Sequence, residues 1–184
     1  ITTGPRVHDF EEAFAEYIGC RHAIAVNSCT AALHLALEAV GVQPGEYVLV
    51  PTMTFAATAE VVLYLGARPV LLDCDPVTLN LDVNQLADYL ERQAEVRGGV
   101  AYHRDTGRRI RAIVPVHFGG LACALDEILQ IAERYGLAVV EDAAHALPAG
   151  YHGRVVGTLG VAGAFSFYAT KNITTAEGGM LTTD

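Results

Sequence analysis

Two stretches in the last third of the chain hold residues whose types and spacing suit covalent chemistry on a carbonyl compound. Val139-Val140-Glu141-Asp142-Ala143-Ala144-His145 delivers a carboxylate at the end of an apolar run, and 29 residues beyond Asp142 a lone lysine, Lys171, follows the aromatic run Phe165-Ser166-Phe167-Tyr168. A lysine amine is nucleophilic only without its proton, a state that a desolvated, apolar-flanked site favours. A carboxylate that keeps a pyridine nitrogen protonated lets the attached ring accept electrons, so the pair suits pyridoxal 5'-phosphate held as a Schiff base on Lys171. On spacing alone the plainer reading, a surface lysine and a structural aspartate at a strand end, holds the advantage.

The elements that must position these residues follow a regular rhythm. Short apolar runs at 23–26, 47–50, 69–72, 110–116 and 137–140 alternate with helical patterns at 30–40, 56–65, 82–97 and 125–135. Strands apolar throughout are covered on both faces, so the pattern predicts a largely parallel sheet between layers of helices. Two further strands, 163–167 and 179–182, flank Lys171 and complete a seven-stranded sheet, the last close enough for an antiparallel return. A first helix is expected with Asp9 as its cap, Glu12 three residues on, Phe10, Phe14, Tyr17 and Ile18 on one face, and Gly19 ending it. Between 97 and 111 the rhythm breaks. A surface hairpin turning at Arg104-Asp105-Thr106-Gly107 is expected there, its arginines solvated rather than bound to a diphosphate.

Ligands of such folds collect at the carboxyl ends of the parallel strands. After the first strand, Asn27-Ser28-Cys29-Thr30 opens a helix whose free N–H groups and dipole suit a phosphate, although an ordinary Ser/Thr cap explains the same residues. After the second, Phe55 is placed either to stack on a flat cofactor or to join the core. His117 follows the fourth, facing the cleft or satisfying a loop. Asp142 and His145 follow the fifth, and Ser166 and Lys171 the sixth.

Composition narrows the classes. With 52% hydrophobic residues, the 184-residue chain can bury a sizeable single core, and 18% charged residues is lean for a solvated monomer. A net charge of −9 argues against nucleic acid as the main partner. The four cysteines, Cys20, Cys29, Cys74 and Cys123, are scattered without metal or disulfide spacing, which suits a reducing, cytoplasmic compartment. No run is long enough to span a bilayer, and no dinucleotide fingerprint, phosphate loop, nucleophile elbow or zinc signature is present.

Four motifs in order then carry a family resemblance. Asn27-Ser28-Cys29-Thr30-Ala31-Ala32-Leu33-His34, Pro51-Thr52-Met53-Thr54-Phe55, Glu141-Asp142-Ala143-Ala144-His145 and Ser166 to Gly179 closely resemble the DegT/DnrJ/EryC1/StrS sugar aminotransferases, as does the opening Thr2-Thr3-Gly4-Pro5. The resemblance implies the large domain of a fold-type I pyridoxal-phosphate enzyme over residues 1–184, without the family's C-terminal small domain, in a homodimer with sites at the subunit interface. It implies Lys171 as the Schiff-base lysine and proton carrier, Asp142 on the pyridine nitrogen, Phe55 stacked on the ring and His145 near the phenolic oxygen. Ser28, Cys29, Thr30 and Ser166 would cradle the phosphate.

The implied reaction moves an amino group, usually from L-glutamate, to a keto group of a nucleotide-linked sugar. The residues after Lys171 look most like the branch acting at C4 of UDP-sugars, such as the enzyme making 4-amino-4-deoxyarabinose. Family members are much longer, so full activity is not expected from these residues alone. Two other readings are a sugar dehydratase, which typically has histidine in place of the lysine, and a non-catalytic sensor on the same fold, which should have lost Lys171, Asp142 or Ser166 first.

Overall fold

The computed structural model describes residues 4–184, leaving Thr2 and Thr3 of the opening motif outside the described residues. Helix α1 (Pro5–Ile18) starts with proline at its first turn, where a missing N–H costs nothing, and closes at Gly19 in the left-handed conformation (φ 79°). It therefore begins before the expected cap. Asp9 lies inside the helix, paired with Arg6, and Tyr17 points to solvent at 61% exposure while Phe14 and Ile18 are buried.

Next come β1 (His22–Val26), α2 (Cys29–Ala39), β2 (Tyr47–Pro51), α3 (Ala57–Tyr64), β3 (Arg68–Leu72) and α4 (Val83–Gln93). The chain continues through β4 (Ala94–Arg97), β5 (Val100–His103), β6 (Ile110–Ile113), α5 (Leu125–Tyr135) and β7 (Ala138–Asp142). A two-residue pair, β8 (Gly150–Tyr151) with β9 (Arg154–Val155), precedes β10 (Ala162–Ser166) and β11 (Gly179–Thr183).

Seven strands form one sheet in the order β1-β11-β10-β7-β6-β2-β3. Only β11 runs against its neighbours, pairing antiparallel with β1 and β10; the other pairings are parallel. The expected antiparallel return after Lys171 is thus present. Alternation along each strand divides the core in two. Leu49, Ile113 and Val139 face a layer containing Phe14 of α1, Leu86 and Leu90 of α4 and Ile128 of α5. Val48, Val50, Val114 and Val140 face Leu33 and Leu37 of α2 and Val61 and Val62 of α3.

The segment expected to be one helix over 82–97 ends at Gln93. Residues 94–97 instead pair antiparallel with β5 across a turn at Gly98-Gly99, both with positive φ. The turn at 104–107 also exists, but it returns β5 toward β6 through a single bridge, Tyr102 to Arg109. The hairpin packs at the amino-terminal ends of the parallel strands, where His103 stacks on Tyr47 (4.8 Å) and Gly99 abuts the end of α5 at Gly136. Its arginines are far from the carboxyl-end loops. Arg97 pairs with Glu95, and Arg111 makes a two-pronged bond to Glu46 at 2.9 Å on each arm. Among the described residues no helix is long and apolar enough to cross a membrane.

Candidate active site

Adjacent carboxylates at the end of β7 have opposite surroundings because the strand alternates. Glu141 follows Val139 toward the α1/α4/α5 side, and Asp142 follows Val140 toward α2 and α3. Asp142 is buried beside the start of α2. Its Oδ2 accepts the Thr58 hydroxyl at 2.8 Å, Oδ1 accepts the Ala144 N–H at 3.1 Å, and the Cys29 thiol lies 4.0 Å from Oδ1. Burial raises the Asp142 carboxyl above its ordinary range, with the bonds from Thr58 and Ala144 offsetting only part of that. A cation beside it would recover what burial costs.

Helix α2 meets this carboxylate with its amino terminus. Ser28 caps it, its Oγ accepting the Ala31 N–H at 3.1 Å, so the N–H groups of Cys29 and Thr30 are left without an acceptor inside the helix. Ser28 is therefore an ordinary cap, and that arrangement is also what leaves two donors for an anion. Gly179 fixes the approach: a Cβ there would collide with the backbone of Ser28 and Cys29, so only glycine lets β11 lie against the helix start. Burial, then the Asp142 charge, pushes the Cys29 thiol well up, and Lys171 pulls it partly back. The thiol is a neutral wall.

Lys171, the only lysine in the sequence, sits on the loop between β10 and β11, its N–H bonded to the Tyr168 carbonyl at 2.9 Å. Its Nζ lies 2.6 Å from Nε2 of His145, on the loop after β7. Asn172 reaches the same loop through a bond to the Leu147 carbonyl. Ser166 ends β10 with Oγ accepting the Tyr168 N–H at 3.3 Å. Phe55 projects from the loop after β2 at 80% exposure, so it is not a core residue and its ring is open to a planar ligand. Asp142, Cys29, Lys171 and His145 thus form one neighbourhood, with Ser28, Thr30 and Ser166 on the elements that border it and Phe55 standing free on its loop.

His117 does not face this cleft. Its Nε2 lies 3.0 Å from Glu141 Oε2 with both side chains fully buried, and Nδ1 accepts the Cys123 N–H at 3.1 Å, which makes Nε2 the protonated nitrogen. Glu141 also accepts the N–H groups of Gly157, Leu159 and Gly160, each at 2.7 Å. Burial pushes this carboxyl up, but the His117 bond and the backbone donors outweigh it, leaving it below its ordinary value. Neither this clamp nor Thr58 stands out in the sequence. Thr58 is one hydroxyl inside an apolar helix, with Thr54 2.6 Å from it, and the three donors to Glu141 are backbone groups.

The arrangement fits pyridoxal 5'-phosphate by its donor set: free N–H groups at a helix start, a buried carboxylate lacking a cation, an exposed aromatic ring and one lysine. The DegT/DnrJ/EryC1/StrS aminotransferase family profile matches residues 1–184 without interruption. The chain belongs to this family. It is 49% identical over 184 residues to the spore coat polysaccharide biosynthesis protein SpsC of Bacillus subtilis (strain 168), covering all of this chain and 43% of SpsC. It is 46% identical over 183 residues to the GDP-perosamine synthase of Caulobacter vibrioides, covering 45% of that relative. Among solved structures, the PLP form of Spr1654 from Streptococcus pneumoniae superposes with a TM-score of 0.85 at 32% identity, over all of this chain and 47% of that one. The chain spans less than half the length of these relatives. Its fold is that of the large domain of fold-type I pyridoxal-phosphate enzymes, built here on a mostly parallel seven-stranded sheet.

Proposed function

We propose that residues 1–184 are the cofactor-binding large domain of a pyridoxal-phosphate aminotransferase that moves an amino group from L-glutamate to a keto group of a nucleotide-linked sugar. The observation that carries this is a single lysine poised beside His145, next to a buried carboxylate at the start of α2. When bound, the cofactor supplies an electron sink that makes a neighbouring C–H bond acidic.

The chain's own residues have distinct tasks. Lys171 would supply the attaching amine and, once free, would act as the acid and base that moves a proton at its Nζ. Asp142, held by Thr58 and the Ala144 N–H, keeps the ring nitrogen protonated by offering the charge that burial otherwise makes costly. The Cys29 and Thr30 N–H groups would hold the phosphate with the Ser166 hydroxyl, Ser28 setting their direction, while Phe55 would stack on the ring and His145 would meet its phenolic oxygen.

The residues around Lys171 favour the C4 keto group of a UDP-sugar, while the name of the Caulobacter relative points to a GDP-sugar. Four free cysteines suit a cytoplasmic enzyme. A homodimer that completes the site fits the exposed apolar side chains Leu35, Leu63 and Tyr64 on α2 and α3.

The experiment is an absorption spectrum of the full native polypeptide with added pyridoxal phosphate, set against Lys171→Ala and followed by L-glutamate. A visible band that needs Lys171 and is bleached by glutamate supports the reading. Parallel assays with UDP- and GDP-linked 4-keto sugars then separate the nucleotides. A full-length protein without a lysine-dependent band would defeat the aminotransferase assignment in favour of a sensor.

A further inference from the structure

The contact between Lys171 and His145 assigns a second task in this site. Before cofactor attaches, an ammonium at Lys171 has to surrender a proton, and Nε2 of His145, 2.6 Å from Nζ, is the acceptor within hydrogen-bond reach. We infer that His145 is the proton acceptor that frees the Lys171 amine for cofactor loading, and that it returns that proton to the oxygen leaving the cofactor's aldehyde. The inference rests on Lys171 being the point of attachment.

The step balances. The Lys171 ammonium gives one proton to Nε2, the amine forms the new C–N bond to the aldehyde carbon, and a second amine hydrogen moves to the former carbonyl oxygen. His145 then returns its proton to that hydroxyl, which departs as water. The nitrogen ends doubly bonded to carbon, carrying one hydrogen and the charge with which it began. No oxidant or other reactant is needed.

The surroundings of His145 suit the task. Lys171 faces it from the loop after β10 and Asp142 from the end of β7, with the neutral Cys29 thiol behind both at the start of α2. The Phe118–Gly120 turn approaches its backbone, a Cβ on Gly120 coming to 3.1 Å from the His145 carbonyl. Burial and the Lys171 charge hold the imidazole below its ordinary value against the pull of Asp142. It is therefore neutral and able to accept at physiological pH, with its hydrogen on Nδ1. The ring is exposed, so a proton in excess passes readily to water.

The test uses the full native polypeptide stripped of cofactor and mixed rapidly with pyridoxal phosphate, following the visible band for wild type and His145→Gln. Glutamine keeps a hydrogen-bonding group for the phenolic oxygen but cannot take a proton. The expected result is loading about 10²-fold slower in His145→Gln. The wild-type rate should level off above the imidazole pKa, whereas the variant's should climb with pH, and added imidazole should restore speed to His145→Ala. Titration of the His145 ring by NMR in cofactor-free protein gives a readout apart from activity, and Lys171→Met should raise its pKa by removing the facing charge. Equal loading rates and pH profiles in wild type and His145→Gln, with the Lys171-dependent band present, would overturn the role of His145 alone. Absence of that band in wild type would overturn the attachment and this inference together.

Discussion

Replacing Glu141 with glutamine should cost more than its single-atom change suggests. Each carboxylate oxygen accepts two donors: Oε1 takes the N–H groups of Leu159 and Gly160, while Oε2 takes those of Gly157 and the His117 ring. His117 cannot adapt by moving its hydrogen, because Nδ1 already accepts from Cys123. Whichever way the new amide turns, its NH2 faces two buried donors. At about 1–3 kcal/mol for each buried group left unsatisfied, the loss is roughly 2–6 kcal/mol. A natural domain typically has about 5–15 kcal/mol in all, so the effect is a large fraction of it. Equilibrium urea unfolding followed by circular dichroism should show the midpoint falling with an unchanged slope, while Glu91→Gln, on the exposed face of α4, stays within about 0.5 kcal/mol of wild type. The sign with pH follows from the depressed folded-state value. The Glu141 contribution is fully present above the unfolded value near 4.5 and is lost as pH falls through the lower folded value, so the wild type should lose its advantage over Glu141→Gln only in acid. A variant that unfolds with the wild type at neutral pH would refute the account of this clamp.

Other outcomes follow from the same geometry. Asp142→Asn in cofactor-free protein should be as stable as wild type or more so at neutral pH. The raised folded value means that the burial penalty is absent below the unfolded value near 3.8 and is felt as pH rises through the folded one. Thermal melts should nevertheless show that pyridoxal phosphate stabilises wild type and not this variant. Gly179→Ala should push β11 off the start of α2, at about 1–3 kcal/mol, with weakened retention of cofactor measured by dialysis and absorbance. Ser28→Ala should cost about 1 kcal/mol in urea unfolding through loss of the cap.

What was legible in the sequence was what burial writes into composition. Strands β2 and β7 are covered on both faces, so residues 47–50 and 137–140 read as unbroken apolar runs, and the alternation with helices led to the parallel sheet. The candidate site was read from strand ends: Asp142 ends β7, His145 and Lys171 lie on the loops after β7 and β10, and Phe55 proves to be exposed rather than core. The failures have local causes. Ala94-Glu95-Val96-Arg97 is as compatible with helix as with strand, and only pairing with Val100–His103 decides between them. Asp9 has a capping pattern, yet Pro5 one turn earlier already starts α1. His117 and Glu141 are 24 residues apart, and their pairing appears only when β6 and β7 lie side by side.

Reductive trapping reads the point of cofactor attachment itself. The full native polypeptide would be incubated with pyridoxal phosphate, treated with borohydride, digested and mapped by mass spectrometry. A pyridoxyl group is expected on the peptide containing Lys171, the only lysine between residues 1 and 184, and should be lost when L-glutamate is added before the reductant. Stoichiometric labelling at a lysine elsewhere in the polypeptide, with Lys171 unmodified, would contradict it.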